Sequence, residues 1–225
     1  MKNISLLMLL SLIVISCGNE EGKVTNDSER AQQEIAKIEE ENYDLRNDSV
    51  IFNSATIENF DVNGNSIDVY WIGEGRDTVL RFYRTYDENK KLIGAEYYEE
   101  GDTEPSRDTV YTNADGQKVE ASLNAQNQIS WKSTFTTDDR GNPILKTYEN
   151  GKGEYRGLDS LYFDEENREV KGFYKNSKGK RYGVRTYAYV KSDENGNWTE
   201  RQMFVDDSLR QKQVRILTYH EYPLA

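Results

Sequence analysis

The sequence predicts an all-β chain: a repetitive antiparallel β-meander of about six 26-residue, two-strand units, forming a curved open sheet behind a short N-terminal helix. Three observations predict it. Residues that tolerate a left-handed turn recur at Gly64, Lys90, Gly116, Gly141, Asn167 and Gly196, at spacings of 26, 26, 25, 26 and 29. A second set of turn signals falls halfway between them, at Gly73-Glu74-Gly75, Gly101-Asp102, Gln126-Asn127, Asn150-Gly151, Lys178-Gly179 and Asp206-Asp207. A third recurrence, Asp-Ser/Thr followed by Val or Leu, appears at Asp48, Asp77, Asp108, Asp159 and Asp207.

Residues 1–16 carry Lys2 and an apolar run from Ile4 to Ile15, the composition of an export signal. The run is shorter than the roughly 18 to 20 residues that span a bilayer. Val14-Ile15-Ser16-Cys17 resembles the lipobox of bacterial lipoproteins. That resemblance implies cleavage before Cys17, a diacylglycerol on its thiol, and a membrane partner reached through the N-terminal lipid. Cys17 is the sole cysteine, so the folded part has neither a disulfide framework nor a thiolate metal site.

Residues 17–27 are small and polar and read as a flexible tether. Asn19-Glu20-Glu21 resembles the acidic signal for surface display in some Bacteroidetes lipoproteins, with Asn19 where that signal often has lysine. The expected address is the cell envelope, at the surface or the periplasmic face of the outer membrane. Residues 28–46 read as a short helix, capped by Asp27-Ser28 with a narrow stripe of Ala31, Ile35, Ile38 and Leu45, or as a charged spacer.

Residues 47–225 form the repeat domain. Gly and Asn at the turn positions suit positive φ, and the Asp and Asn before them can bond the turn backbone. Between turns the chain alternates: Leu80, Phe82 and Tyr86 on one face against Val79, Arg81 and Tyr83, and Trp131 and Phe135 against Lys132 and Thr134. Apolar groups and charge occur on both faces, unlike the lipid-facing band of an outer-membrane barrel. Twelve such strands would make a ribbon about 58 Å wide. The helix would cap its first edge, and Tyr219 to Pro223 its last.

The stretch Val190-Lys191-Ser192-Asp193-Glu194-Asn195-Gly196-Asn197-Trp198-Thr199-Glu200-Arg201 resembles the tyrosine-aspartate (YD) repeats of the Rhs superfamily, and Phe60–Asn65 and Thr137–Asn142 match in part. Asn150-Gly151-Lys152 and Ser177-Lys178-Gly179-Lys180 resemble more weakly the strand-turn units of MORN-like repeat proteins. Both resemblances imply β-meander scaffolds that bind rather than catalyse.

Composition narrows the partners. The 29 Lys+Arg against 40 Asp+Glu give a net charge of -11, which argues against nucleic acid. The 16 tyrosines outnumber the 7 phenylalanines and 3 tryptophans, which suits half-exposed sheet faces. No cofactor motif is present. His220, the only histidine, has no nucleophile motif beside it. Asp61-x-Asn63-Gly64 and Asp193-x-Asn195-Gly196 resemble fragments of a calcium loop, but loop position 12 falls on Ile72 and Phe204. No metal site is therefore expected. The pairs Asp138-Asp139, Glu165-Glu166 and Asp206-Asp207 could serve a glycan hydrolase, yet they fall in turns, where acids are common. No catalytic residue is assigned. The remaining lead is an aromatic platform of Trp71, Tyr83, Tyr97, Tyr98, Trp131, Tyr187, Tyr189 and Trp198. The expected function is a lipid-anchored envelope protein whose repeat sheet binds a protein or polysaccharide. The alternatives are an envelope glycan hydrolase and a toxin-neutralising immunity protein.

Overall fold

The computed structural model describes residues 34–46, 49–124 and 126–221. Residues 1–16, the tether 17–27 with Cys17, the stretch 28–33, and Tyr222 with Pro223 lie outside the described residues. The described chain is fourteen antiparallel strands: β1 (Ile35–Arg46), β2 (Ser49–Phe60), β3 (Ser66–Ile72), β4 (Thr78–Tyr86), β5 (Leu92–Glu99), β6 (Ser106–Thr112), β7 (Lys118–Leu123), β8 (Ile129–Thr137), β9 (Pro143–Asn150), β10 (Tyr155–Phe163), β11 (Glu169–Asn176), β12 (Arg181–Ser192), β13 (Trp198–Val205) and β14 (Ser208–Tyr219). Each strand pairs with its sequence neighbours, and β1 also pairs with β14, so the meander closes into a barrel.

This corrects two expectations. The sheet is closed rather than open, and Ile35–Arg46 is a strand rather than a helix. Glu39, Glu40 and Glu41 favour a helix intrinsically, but laddering on both sides outweighs that weak preference. The segment expected to cap an edge is the strand that removes the edge.

The hairpins follow from local chemistry. In the β2–β3 turn, Asp61 N–H donates to the Asn65 carbonyl at 2.9 Å and Gly64 N–H to the Asp61 carbonyl at 3.0 Å. The Asp61 Oδ1 accepts the N–H groups of Asn63 and Asn65, both at 2.9 Å. Gly64 sits at φ 77°, where only a residue without Cβ is unstrained. The same bond set recurs on Asp87, Asn113, Asn124, Asp138, Asn150, Asp164, Asn176 and Asp193. Lys90, Gly116, Gly141, Asn167 and Gly196 all have positive φ as well. Asp206 and Asp207 make a two-residue turn with φ 49° and 62°.

The turns divide between two rims. The first rim holds the turns at Gly64, Lys90, Gly116, Gly141, Asn167 and Gly196, and also the start of β1 and the end of β14. His220 N–H donates there to the Glu34 carbonyl at 2.9 Å. The second rim holds the halfway turns. On the outer wall, ion pairs sit within the strands: Glu96–Arg107 at 3.2 Å, Lys132–Glu149 at 2.7 Å, and Glu200 between Lys191 at 2.8 Å and Lys212 at 3.1 Å. Most of these groups stand within a few residues of a strand end, toward the rims.

The interior is not a hydrocarbon core. Fourteen strands tilted about 40° close a circular ring roughly 28 Å across, wider than side chains alone fill. Buried apolar side chains are few among the described residues, with Ile38, Phe60, Leu80, Val119 and Phe135 the larger ones. Charged and aromatic side chains line the lumen instead.

Candidate functional site

Residues opposite one another on neighbouring strands share a face, so the register assigns each predicted aromatic. Trp71, opposite Thr56 and Leu80, faces the lumen with Tyr97, Trp131, Tyr187, Tyr189 and Trp198. Tyr83 and Tyr98 face outward. The eight rings therefore do not form one platform.

Most of the lumen rings are engaged by neighbours. The Arg215 guanidinium lies 3.6 Å from the centre of the Trp198 ring. That of Arg201 lies 4.4 Å from the same ring and 4.6 Å from that of Tyr187. Tyr189 meets Trp198 edge to face at 5.6 Å and donates its hydroxyl to the Glu169 carbonyl at 3.0 Å. Arg201 Nε–H donates to Gln213 Oε1 at 2.5 Å. Burial, followed by the charge of Glu169, pushes the Tyr187 hydroxyl up to about 12. Burial also pushes the Glu169 carboxyl up and the Arg215 guanidinium down.

Across the lumen, Trp131 packs on Tyr148 at 5.9 Å, and the Tyr148 hydroxyl donates to Asp159. Lys146 lies 4.9 Å over the Phe135 ring, and burial lowers its pKa. Tyr97 packs on Phe82 at 5.5 Å, and Arg84 pairs with Glu58 at 3.2 Å in a buried bridge. These charges occur in compensated sets, so the lumen offers no strong field of one sign.

The outer pair is different. Tyr83 and Tyr98 meet at 6.1 Å with ring planes 80° apart, and Tyr83 is 40% exposed. They line a groove of about 520 Å³ near the second rim, with Thr78, Leu80, Arg81, Glu99, Glu100, Gly101 and Asp102. The chain makes this groove by interrupting its own wall. The β5–β6 ladder holds four pairs and stops at Tyr97↔Ser106, although β5 continues to Glu99. Pro105 precedes β6 and has no N–H for the ladder. Gly101 turns at φ 89°, and Asp102 Oδ2 accepts the Glu99 N–H at 3.2 Å. Sequence reading found Gly101-Asp102 as a turn but missed its longer return, for which Pro105 was the signal.

One carboxylate of each acidic pair is spent on structure. Asp138 Oδ1 caps its own turn, Glu166 pairs with Arg168 at 2.9 Å, and Asp206 Oδ1 accepts the Val184 N–H at 3.1 Å. His220 Nε2 lies 3.1 Å from the Asp61 carbonyl at the first rim. Among the described residues, no three or more His, Cys, Asp or Glu side chains gather closely enough to hold a metal ion.

No family model matches the chain, and no curated protein is measurably similar to it. A number of solved structures are similar in part, among them the following three. A porin-like protein from Bacteroides uniformis aligns over 79% of this chain and 58% of its own, at 16% identity and a TM-score of 0.37. This chain thus spans less than two thirds of that protein's length. A DUF1329 family protein from Desulfovibrio piger aligns over 82% of this chain and 86% of its own, at 11% identity and a TM-score of 0.35. A LolA superfamily protein from Nitrosomonas europaea aligns over 85% and 88%, at 7% identity and a TM-score of 0.34.

Proposed function

We propose that this chain is a lipid-anchored protein of the cell envelope, built from YD-like repeats, whose barrel binds a protein or polysaccharide without catalysis. The anchor is Cys17, at the outer membrane on its surface or periplasmic face. Ligand is taken on the outer wall, at the rim away from the anchored end. One observation carries this reading: Tyr83 and Tyr98 open onto a groove, whereas five of the six lumen rings pack on a neighbouring ring or guanidinium. The groove's volume falls within the roughly 300 to 1,000 Å³ of small-ligand sites. Its rim is the one opposite the start of β1, so an occupant would not meet the anchor. Binding without catalysis is favoured because the acidic pairs are spread along the rims, with Asp138, Glu166 and Asp206 each bonded to protein groups nearby.

Two experiments test it. Full-length protein and its Tyr83→Ala/Tyr98→Ala variant are used to capture isolated envelope polysaccharide and envelope protein fractions. Capture should fall at least tenfold in the variant, and equal capture would remove the groove from the reading. Cys17→Ala should release the protein from membranes. A variant that still fractionates with them would sink the anchor.

A further inference from the structure

We infer that the occupant of this groove is a pyranose oligosaccharide; this rests on the reading above that the groove is the binding site. A pyranose has an apolar C–H face and an edge of hydroxyls that both donate and accept. Perpendicular tyrosine rings form a corner offering one ring face and one ring edge, a surface for the C–H face to stack on. Beside the corner on the outer face stands a donor, the exposed Arg81, and at the rim an acceptor, the exposed Glu100, while Glu99 and the Thr78 hydroxyl, on the face of Leu80, line the groove from its rim side. Arg81 takes part in none of the ion pairs among the described residues, so its N–H groups are available to a ligand. Donor beside carboxylate is the arrangement that holds a pair of neighbouring sugar hydroxyls.

Competing ligand classes fit less well. A peptide docking as an added strand needs several residues of free sheet edge, whereas beyond Tyr97↔Ser106 β5 runs only to Glu99, whose N–H already donates to Asp102 Oδ2. An acyl chain needs an aliphatic lining, but Leu80 is the sole aliphatic side chain here and is only 8% exposed. Nucleic acid needs clustered cations, and the groove sets Arg81 against Glu99, Glu100 and Asp102.

The test is calorimetric titration of the full chain with cellohexaose, xylohexaose, mannohexaose and N-acetylchitohexaose. The variants are Tyr98→Ala, Tyr83→Ala and Tyr98→Phe, each checked for an unchanged melting profile. At least one hexaose should bind. Either alanine variant should weaken it at least tenfold, and Tyr98→Phe should retain it, because stacking needs the ring and not the hydroxyl. If no hexaose binds while Tyr83→Ala/Tyr98→Ala loses capture of an envelope protein, the sugar is overturned and the groove stands. If a hexaose binds wild type and both alanine variants equally, the groove itself is overturned. If none binds and the double variant captures every fraction normally, both are overturned.

Discussion

Arg215 donates its Nε–H to Glu40 Oε2 at 2.7 Å across the seam between β14 and β1, with the two side chains 9% and 14% exposed. Gln213 Nε2 donates to Asn42 Oδ1 at 2.5 Å and Gln211 Nε2 to Asp44 Oδ1 at 3.0 Å on the same face. The barrel is closed by a column of polar pairs. Removing one partner of a buried pair leaves the other charge uncompensated, at a cost of about 3 to 5 kcal/mol. Arg215→Ala and Glu40→Ala should each destabilise by that order in chemical denaturation. The paired replacement Glu40→Leu/Arg215→Met should cost less than the sum, because neither partner is left unpaired by the other, although it also takes the charge of Glu40 from the buried Arg201. Additive losses would mean that the pair contributes nothing as a pair.

The turns make a second, purely local prediction. Gly116 sits at φ 79°, and a Cβ there would meet nothing within 4 Å. The cost of Gly116→Ala is therefore conformational, about 1 to 2 kcal/mol. Lys90 occupies the equivalent position at φ 61° and bears that strain already, while its Nζ donates to Asn63 Oδ1 at 2.7 Å. Lys90→Gly should stabilise by up to about 1 kcal/mol, less the lost bond and the added freedom of the unfolded chain. Thermal melts of the two variants should move in opposite directions.

These positions were legible in the sequence because a left-handed residue restricts the choice to Gly, Asn and few others, and the acceptor three residues earlier must be Asp or Asn. Closure was not legible. Arg215 and Glu40 are 175 residues apart, and no local pattern relates them. The strand that closes the ring, moreover, is written in residues that favour helix. The ring types at the candidate site were readable, but their faces were not. Period-2 alternation separates two faces without saying which is inside when both carry charge and aromatics. Bulges such as that between Tyr189 and Lys191 then shift the count.

Acid sensitivity follows from the same turns. Burial pushes the Asp61 carboxyl up, but the N–H donors of Asn65 and Asn63 outweigh it and bring it down to about 2. The Asn142 amide is the main cause of a depressed Asp138, and Arg168 overcomes burial to depress Asp164. A carboxyl depressed below its unfolded value of 3.8 stabilises the fold above that pH and loses the effect as pH falls through the folded value. The melting temperature should therefore drop between about pH 4 and pH 2. Asp61→Asn keeps the Oδ1 acceptor and removes the titration. Wild type should exceed it near pH 5, with the gap closing toward pH 2. A constant gap would show that Asp61 does not titrate in this window.

Glu169 works in the opposite sense. Its Oε1 is shut off from solvent without a hydrogen-bond partner among the described residues. Burial raises its pKa even though the charges of Arg185 and Arg201 oppose the rise. The folded chain thus holds this proton more tightly than the unfolded chain, whose value is 4.5. That contribution is present below the unfolded value and is lost as pH rises through the folded one. Glu169→Gln carries no such proton, so its stability relative to wild type should increase as pH rises above about 4.5 and through the raised folded value. The increase should be about 1.4 kcal/mol for each pK unit by which the carboxyl is displaced. Paired urea melts at acid and neutral pH would read it directly. A relative stability that falls with pH would mean that the two arginines, and not burial, govern this carboxyl.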